Sequence, residues 1–95
     1  MKRKTTFTYK LKYPVNHGGH DIKEITIRRP TVSDQIEAAE KTKDSTPEKQ
    51  TLYLYSLISG LSPEELGRVD AYFDWINFLE ESGSFLGIGV LAQKI

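Results

Sequence analysis

The sequence predicts an α+β fold in which an N-terminal antiparallel β-hairpin is followed by three to four α-helices. Three observations predict it. Apolar and polar residues alternate over the first part of the chain, on both sides of a glycine-rich turn. A proline then ends the β pattern, and the segments after it begin with capping residues and continue with helical periodicity. A chain of 95 residues can bury one modest core, so we expect a single domain over residues 1–95.

The hairpin is predicted at about residues 5–28. Apolar residues occupy every odd position from Phe7 to Val15, with polar residues between Phe7 and Tyr13. A period of two with aromatic and β-branched residues indicates a half-buried strand. The segment NHGGHD at residues 16–21 is typical of a turn, because its residues tolerate positive φ. A second strand follows, with Ile25 and Ile27 on one face.

The first helix is predicted at about residues 32–43. Pro30 closes the second strand, since it lacks a backbone N–H. Thr31 and the residue three positions later, Asp34, form a pattern typical of a capping box. The apolar stripe of this helix is thin, and we expect it to rest on the hairpin by one edge. It consists of Val32, Ile36 and Ala39.

Two further helices are predicted at about residues 47–59 and 63–82. Each begins with a hydroxyl residue followed by proline, and glycines at 60 and 83 stand where the helices should end. The third helix should bury the apolar residues that recur between Val69 and Leu79 and show Asp70 and Asp74 to water. The tail at residues 83–95 is apolar and interrupted by glycines, so we expect it to pack on something.

Composition excludes several classes of protein. The chain has no cysteine, which excludes disulfides, thiolate metal sites and cysteine nucleophiles and is compatible with a reducing cytoplasm. No segment has the roughly 20 apolar residues needed to span a bilayer, and no apolar stretch follows the basic start, so we expect no membrane association. Residues 1–31 hold eight basic and two acidic side chains, a net charge of +6, and the remainder carries a net charge of −6. Such asymmetry influences the choice of partner.

The turn and the carboxylates contain residue types found in metal and catalytic sites. His17, His20 and Asp21 are metal-ligand types close in sequence, but two glycines separate the histidines and no fourth ligand has matching spacing. An ordinary hairpin turn is the preferred interpretation, with no metal and no cofactor. The sequence contains no nucleophile elbow, P-loop, dinucleotide fingerprint or HExxH motif. We therefore expect no catalytic residues and no enzyme.

The basic hairpin has residue types that occur in nucleic-acid-binding surfaces. Lysine side chains neutralise phosphates, and exposed aromatic rings can stack on bases. The alternating pattern, however, places Tyr9 and Tyr13 on the face opposite Lys10 and Lys12. Core tyrosines are the preferred interpretation, and we expect no nucleic-acid partner. A small nucleic-acid-binding module stays open as an alternative function.

The helices and the tail carry more apolar surface than a short hairpin can cover. This excess predicts self-association or the binding of a hydrophobic client. The residues predicted to contact the partner come from both longer helices and the start of the tail. They are Leu54, Tyr55, Ile58, Tyr72, Trp75, Phe78, Phe85 and Leu86.

Three stretches in this order resemble the tail assembly chaperones of contractile-tailed phages such as Mu. They are ITIRRPTVSDQIEAAE at residues 25–40, LYSLISGLSPEEL at residues 54–66 and VDAYFDWINFL at residues 69–79. The resemblance covers about residues 5–80. It implies an assembly factor that works in the cytoplasm of an infected or lysogenic bacterium and is absent from the mature virion.

The same resemblance implies the partners. Members of that family are thought to coat the tape measure protein, keep it soluble and help recruit tail tube subunits. Exposed apolar stripes and abundant charge, which such a role needs, are both present in this sequence. A structural subunit of the tail is the other alternative.

Overall fold

The computed structural model describes residues 5–87 and confirms the predicted fold class. The elements in chain order are β1 Thr6–His17, β2 His20–Arg28, α1 Val32–Lys41, α2 Pro47–Ser59, α3 Pro63–Leu66 and α4 Asp74–Leu86. Within these residues no helix combines the length and the apolar character that a membrane crossing requires.

β1 and β2 form a two-stranded antiparallel sheet with one large irregularity. Gly18 and Gly19, with φ of 61° and 83°, make the tight turn between them, because this left-handed backbone favours glycine. Pairing runs from Thr6–Arg28 to Lys10–Glu24 and resumes at Val15–Ile22. Between these pairs, residues 11–14 of β1 stand opposite residue 23 of β2 alone. β1 therefore bulges away from its partner, and its backbone groups there need other acceptors.

The predicted caps of α1 and α2 are confirmed. Thr31 and Asp34 form the reciprocal capping box, and α1 ends at Lys41, two residues before the predicted end. Thr46 caps α2 with proline at its first position. Gly60, with φ of 77°, ends α2 in the left-handed conformation.

The core lies between one face of the hairpin and two helices. α2 packs on β2 and α4 packs on β1. The buried apolar residues come from both strands, from α2 to α4 and from the segment before α4. They are Tyr9, Leu11, Val15, Ile22, Ile25, Ile27, Tyr55, Ile58, Leu66, Val69, Phe78 and Leu86.

α1 packs on α2, so the expectation that its stripe rests on the hairpin is wrong. Val32 and Ile36 are exposed, whereas Ala38 is buried. The reason lies at the end of α1, where the Gln50 side chain of α2 donates to the Thr42 carbonyl at 3.2 Å. This contact and the small Ala38 side chain turn a different face of α1 toward its neighbour.

The helix predicted at residues 63–82 begins as predicted, with Ser62 as its cap and Pro63 at its first position, but it is interrupted after Leu66 and ends later than predicted. α3 is a single turn, and α4 begins at Asp74 because the chain turns around Asp70. The Asp70 carboxylate accepts hydrogen bonds from the backbone N–H of Phe73 at 2.7 Å and of Asp74 at 3.2 Å. α4 continues through Gly83 and ends at Gly87, whose φ is 80°. The predicted tail thus contributes Phe85 and Leu86 to α4, and residues 88–95 lie outside the described part of the chain.

α4 also buries a different face from the one predicted. The predicted stripe included Tyr72, Phe73 and Ile76, which are exposed, and Phe78, which is buried as predicted. The other buried positions are Asp74 and Ser82, four residues before and after Phe78, together with Gly83 and Leu86. The expectation that Asp74 faces water is therefore wrong. Two polar residues occupy core positions because each has a buried tyrosine as its hydrogen-bond partner.

Candidate interaction surface

A fully buried carboxylate joins α4 to the bulge of β1. Asp74 accepts hydrogen bonds from the Tyr9 hydroxyl at 3.1 Å and from the backbone N–H of Lys12 at 2.8 Å, both through Oδ1. Its Oδ2 accepts from the backbone N–H of Tyr13 at 2.9 Å. These N–H groups lie where β1 has lost its register with β2. Asp74 thus supplies the acceptors that the bulge needs, and the three donors compensate the buried charge.

Tyr9 is the third donor to this carboxylate and part of the core. Burial, and then the hydrogen bond to Asp74, raise the pKa of Tyr9 to about 12. Its ring meets the Phe78 ring edge-on at 6.0 Å between centroids. Tyr9 therefore stays protonated and keeps donating to Asp74 at any physiological pH.

The second buried polar pair lies deeper in α4. The hydroxyls of Tyr55 and Ser82 are 2.7 Å apart, and burial raises the pKa of the Tyr55 phenol. Ser82 also donates to the Leu79 carbonyl at 3.3 Å. Both ends of the buried face of α4 are thus tied to tyrosines, one from β1 and one from α2.

Asp74 brings a set of exposed aromatic side chains together. It holds the bulge against the first turn of α4, so the rings of Tyr13 and Phe73 meet edge-on, 6.3 Å apart between centroids at an angle of 85°. The Lys12 ammonium lies 4.6 Å from the Phe73 centroid and 5.6 Å from the Tyr13 centroid. Tyr72, which is 91% exposed, directly precedes Phe73, and Ile76, which is 53% exposed, follows it by three residues. Lys12, Tyr13, Tyr72, Phe73 and Ile76 are called the aromatic patch below.

The aromatic patch has the chemistry of a protein-binding surface. Aromatic side chains bury a large area on contact and lose few rotamers, which is why they dominate binding hot spots. The Lys12 ammonium is held over two rings and can meet a carboxylate of a partner at the edge of the contact. The patch can therefore bind a partially apolar protein segment without any covalent step.

The eight residues predicted to contact a partner do not form one surface. Four of them are core residues of this fold, namely Tyr55, Ile58, Phe78 and Leu86. They fill the space between the hairpin and the helices, so a partner cannot reach them while the fold is intact. Tyr72 is the one predicted residue that is exposed, and Leu54, Trp75 and Phe85 are half-buried.

The three half-buried residues lie at separate places. Leu54 lines an open groove of about 430 Å³ between α1 and α2. Trp75 lines a smaller groove of about 200 Å³ between α2 and α4. Phe85 stacks on Phe7 at 5.7 Å, and the Arg29 guanidinium lies over it and donates to backbone carbonyls at the end of α4.

The prediction that Tyr13 and Lys12 face opposite sides is wrong, because the bulge interrupts the alternation of β1. Tyr9 is a core residue, as expected from the pattern, whereas Tyr13 is exposed beside Lys12. Phe73 and Ile76 were missed because they were assigned to a buried helical stripe. Asp70, an N-cap residue type three positions before Phe73, was the signal that a new helix begins there.

The turn histidines and the carboxylates have ordinary structural roles. His17 and His20 are opposite each other beside the turn, and Asp21 accepts a hydrogen bond from the Asn16 side chain at 2.7 Å. Between residues 5 and 87 no group of three or more histidine, aspartate or glutamate side chains could hold a metal ion. Asp70 and Asp74 both serve as acceptors for backbone N–H groups.

Comparison with known proteins supplies the family. A family model described as "Phage tail assembly chaperone proteins, E, or 41 or 14" matches residues 8–71, about two thirds of the chain. The match takes in the hairpin from its third strand residue, α1, α2 and α3, and it ends just before α4. Neither the curated proteins nor the solved structures contain a match. The family match covers more than half of the sequence, and this chain belongs to the phage tail assembly chaperones.

Proposed function

We propose that this chaperone binds the phage tape measure protein through the aromatic patch and keeps it soluble while the tail tube assembles around it. The aromatic patch carries the proposal, since it exposes apolar rings on a frame that a buried carboxylate fixes. The action is non-covalent binding, with no catalytic step and no cofactor. The tail tube protein and further copies of the chaperone are the other proposed partners.

The patch is a better contact surface than the exposed stripe of α1. Val32 and Ile36 are two aliphatic side chains on a helix that packs mainly on α2. In the patch, Tyr13 and Phe73 are held against each other and Lys12 supplies a charge at their edge. A surface that is ordered before binding loses less entropy when it binds.

Co-expression with the tape measure protein of the same phage tests the proposal. The unmodified chaperone should move the tape measure protein into the soluble fraction and co-purify with it. Tyr72→Ser should lose both effects, because it removes a ring that is 91% exposed and has little role in the fold. Val32→Ser is the control, since Val32 is 71% exposed on α1. Unchanged solubility with the unmodified chain, or equal loss in the two variants, would contradict the proposal.

The place of action is proposed from the family. A tail assembly chaperone should work in the cytoplasm of the host bacterium and leave the tail before it is complete. Mass spectrometry of purified virions separates this role from that of a structural tail subunit. We expect peptides of this chain in the infected-cell lysate but not in virions, and stoichiometric amounts in virions would favour the structural role.

One observation favours nucleic-acid binding as a second candidate function. The structure places Lys12 and exposed aromatic rings on the same surface, which is the arrangement used to hold single strands. Such binding would weaken steeply as salt is added. We expect no binding to single- or double-stranded nucleic acid at physiological salt. A salt-dependent complex that Lys12→Ser abolishes would instead support the second candidate.

A further inference from the structure

The outer edge of β2 has backbone groups with no partner in the described part of the chain. The sheet has two strands, so β2 pairs only with β1. Beyond the hairpin ladder, no backbone hydrogen bond within residues 5–87 involves the β2 backbone. The outer edge of β1 differs, because it bulges and the Asp74 carboxylate takes two of its N–H groups. The outer edge of β2 at residues 24–28, where the pairing with β1 is unbroken, is a template for pairing with another strand.

Burial indicates which residues of β2 direct their backbone groups outward. Ile22 and Ile25 both face the core, so the alternation of β2 is interrupted between them, opposite the bulge. Ile25 and Ile27 are fully buried, so their N–H and C=O groups must bond to β1. Bonding alternates along a strand, and the exposed residues Glu24, Thr26 and Arg28 therefore direct their N–H and C=O groups to the open edge.

A second copy of the same edge is complementary to it in one register. Opposite residues of an antiparallel pair share a face, so the twofold axis must pass through a residue. With the axis at Thr26, Glu24 lies opposite Arg28 of the second copy, twice by symmetry, and Ile25 lies opposite Ile27 on the core side. An axis at Glu24 would instead place two glutamates opposite each other. An axis at Ile25 would place Glu24 opposite Thr26 and Arg28 opposite Ile22, both uncharged.

We propose that two copies of this chain pair through β2, antiparallel and centred on Thr26, to form a continuous four-stranded sheet. Arg28 is held at the end of β2 by Asp34 at 2.6 and 3.1 Å, so its positive charge is already positioned near the facing Glu24. The aromatic patch lies on the β1 side of the sheet. The dimer therefore leaves both patches accessible and presents two client surfaces.

A single engineered cysteine tests this register, since the chain has no cysteine of its own. With the axis at Thr26, the two Thr26 residues form a hydrogen-bonded pair with Cα atoms about 5.5 Å apart. That distance suits a disulfide. Thr26→Cys should therefore give mostly disulfide-linked dimer under mild oxidation at micromolar concentration.

Thr8→Cys is the matched control. Thr8 lies opposite Thr26 in the hairpin, and the two hydroxyls are hydrogen-bonded at 2.9 Å. Both threonines are exposed to solvent. In the proposed dimer two Thr8 residues are three strand spacings apart, about 14 Å, and cannot be bridged. Absence of dimer from Thr26→Cys, or equal dimer from both variants, would overturn the proposed register.

Sedimentation of the unmodified chain provides the second measurement. The unmodified chain should sediment as a dimer, and Glu24→Arg should weaken the dimer about tenfold or more, because it places two cations opposite each other at both ends of the contact. Glu37→Arg, on the exposed face of α1, should leave it unchanged. A monomeric unmodified chain would refute the dimer, and this outcome is independent of client binding.

Discussion

Replacement of Asp74 by asparagine should be among the most damaging conservative changes in this protein. The substitution keeps the size of the side chain but removes its charge and replaces one acceptor oxygen with an NH₂ donor. In the structure both carboxylate oxygens accept, from one phenol and two backbone N–H groups. The new NH₂ group would face at least one N–H with no acceptor between them.

The magnitude follows from the bonds that are lost. A hydrogen bond to a charged group contributes about 1.5–3 kcal/mol, and a buried donor left without a partner costs about 1–3 kcal/mol. Asp74→Asn weakens the remaining bonds and orphans at least one N–H, so we expect a loss of about 3–5 kcal/mol in the free energy of unfolding. A domain of this size has about 5–15 kcal/mol in total, and its Tm should fall by about 12 °C or more.

Urea unfolding followed by far-UV circular dichroism measures this loss. Asp21→Asn is the control, because Asp21 is exposed and accepts one side-chain bond. Its unfolding free energy should change by no more than about 0.5 kcal/mol. A loss below about 1 kcal/mol in Asp74→Asn would refute the reasoning that this carboxylate holds α4 on the hairpin.

Three further predictions concern single residues. Because its folded-state pKa is raised, Tyr9 contributes stability that is complete below about pH 10 and is lost as the pH rises to about 12. Measured in urea, the unfolding free energy of the unmodified chain should therefore fall by about 2–3 kcal/mol more than that of Tyr9→Phe over this pH range. The Arg28 guanidinium and the Thr31 N–H hold the pKa of Asp34 well below its usual range. The stability that this carboxylate contributes is therefore present above about pH 4 and is lost on acidification. As the pH is lowered, the unfolding free energy of Asp34→Asn should fall less than that of the unmodified chain. Gly60→Ala should lower the unfolding free energy by about 1 kcal/mol, measured in urea, because alanine is strained at φ of 77°.

The hairpin and the helix caps could be predicted because their signals are local. Thr31 with Asp34, Thr46 before a proline, and Gly60 at a helix end each act through neighbouring backbone groups. The two glycines of the turn act in the same way. Fold class followed from these signals and from the period of the apolar residues.

The buried face of α4 could not be predicted from periodicity. An amphipathic reading assigns polar side chains to water, but Asp74 and Ser82 are buried because tyrosines distant in sequence complete their hydrogen bonds. The partners are 65 and 27 residues away along the chain, so no local pattern contains them. Reversing the face also exposed Tyr72, which the sequence analysis had placed in the buried stripe as well as among the residues predicted to contact a partner.

The bulge in β1 had the same consequence for the candidate surface. Strict alternation placed Tyr13 in the core, and the extra residues of β1 turned it outward beside Lys12. The bulge is stable because Asp74 accepts the hydrogen bonds that β2 cannot. One tertiary interaction therefore holds the first turn of α4 against the bulge and determines which side chains form the aromatic patch.

The affinity of two serine variants for the tape measure protein tests the central claim most directly. Ile76 in the patch is 53% exposed and Ile36 on α1 is 54% exposed, so Ile76→Ser and Ile36→Ser remove similar side chains from similar environments. Their unfolding free energies should agree within about 0.5 kcal/mol. Titration of a purified tape measure segment should show binding about tenfold weaker for Ile76→Ser and within about twofold of the unmodified chain for Ile36→Ser. Equal affinities of the two variants, or a larger loss in Ile36→Ser, would contradict the assignment of the aromatic patch as the client-binding surface.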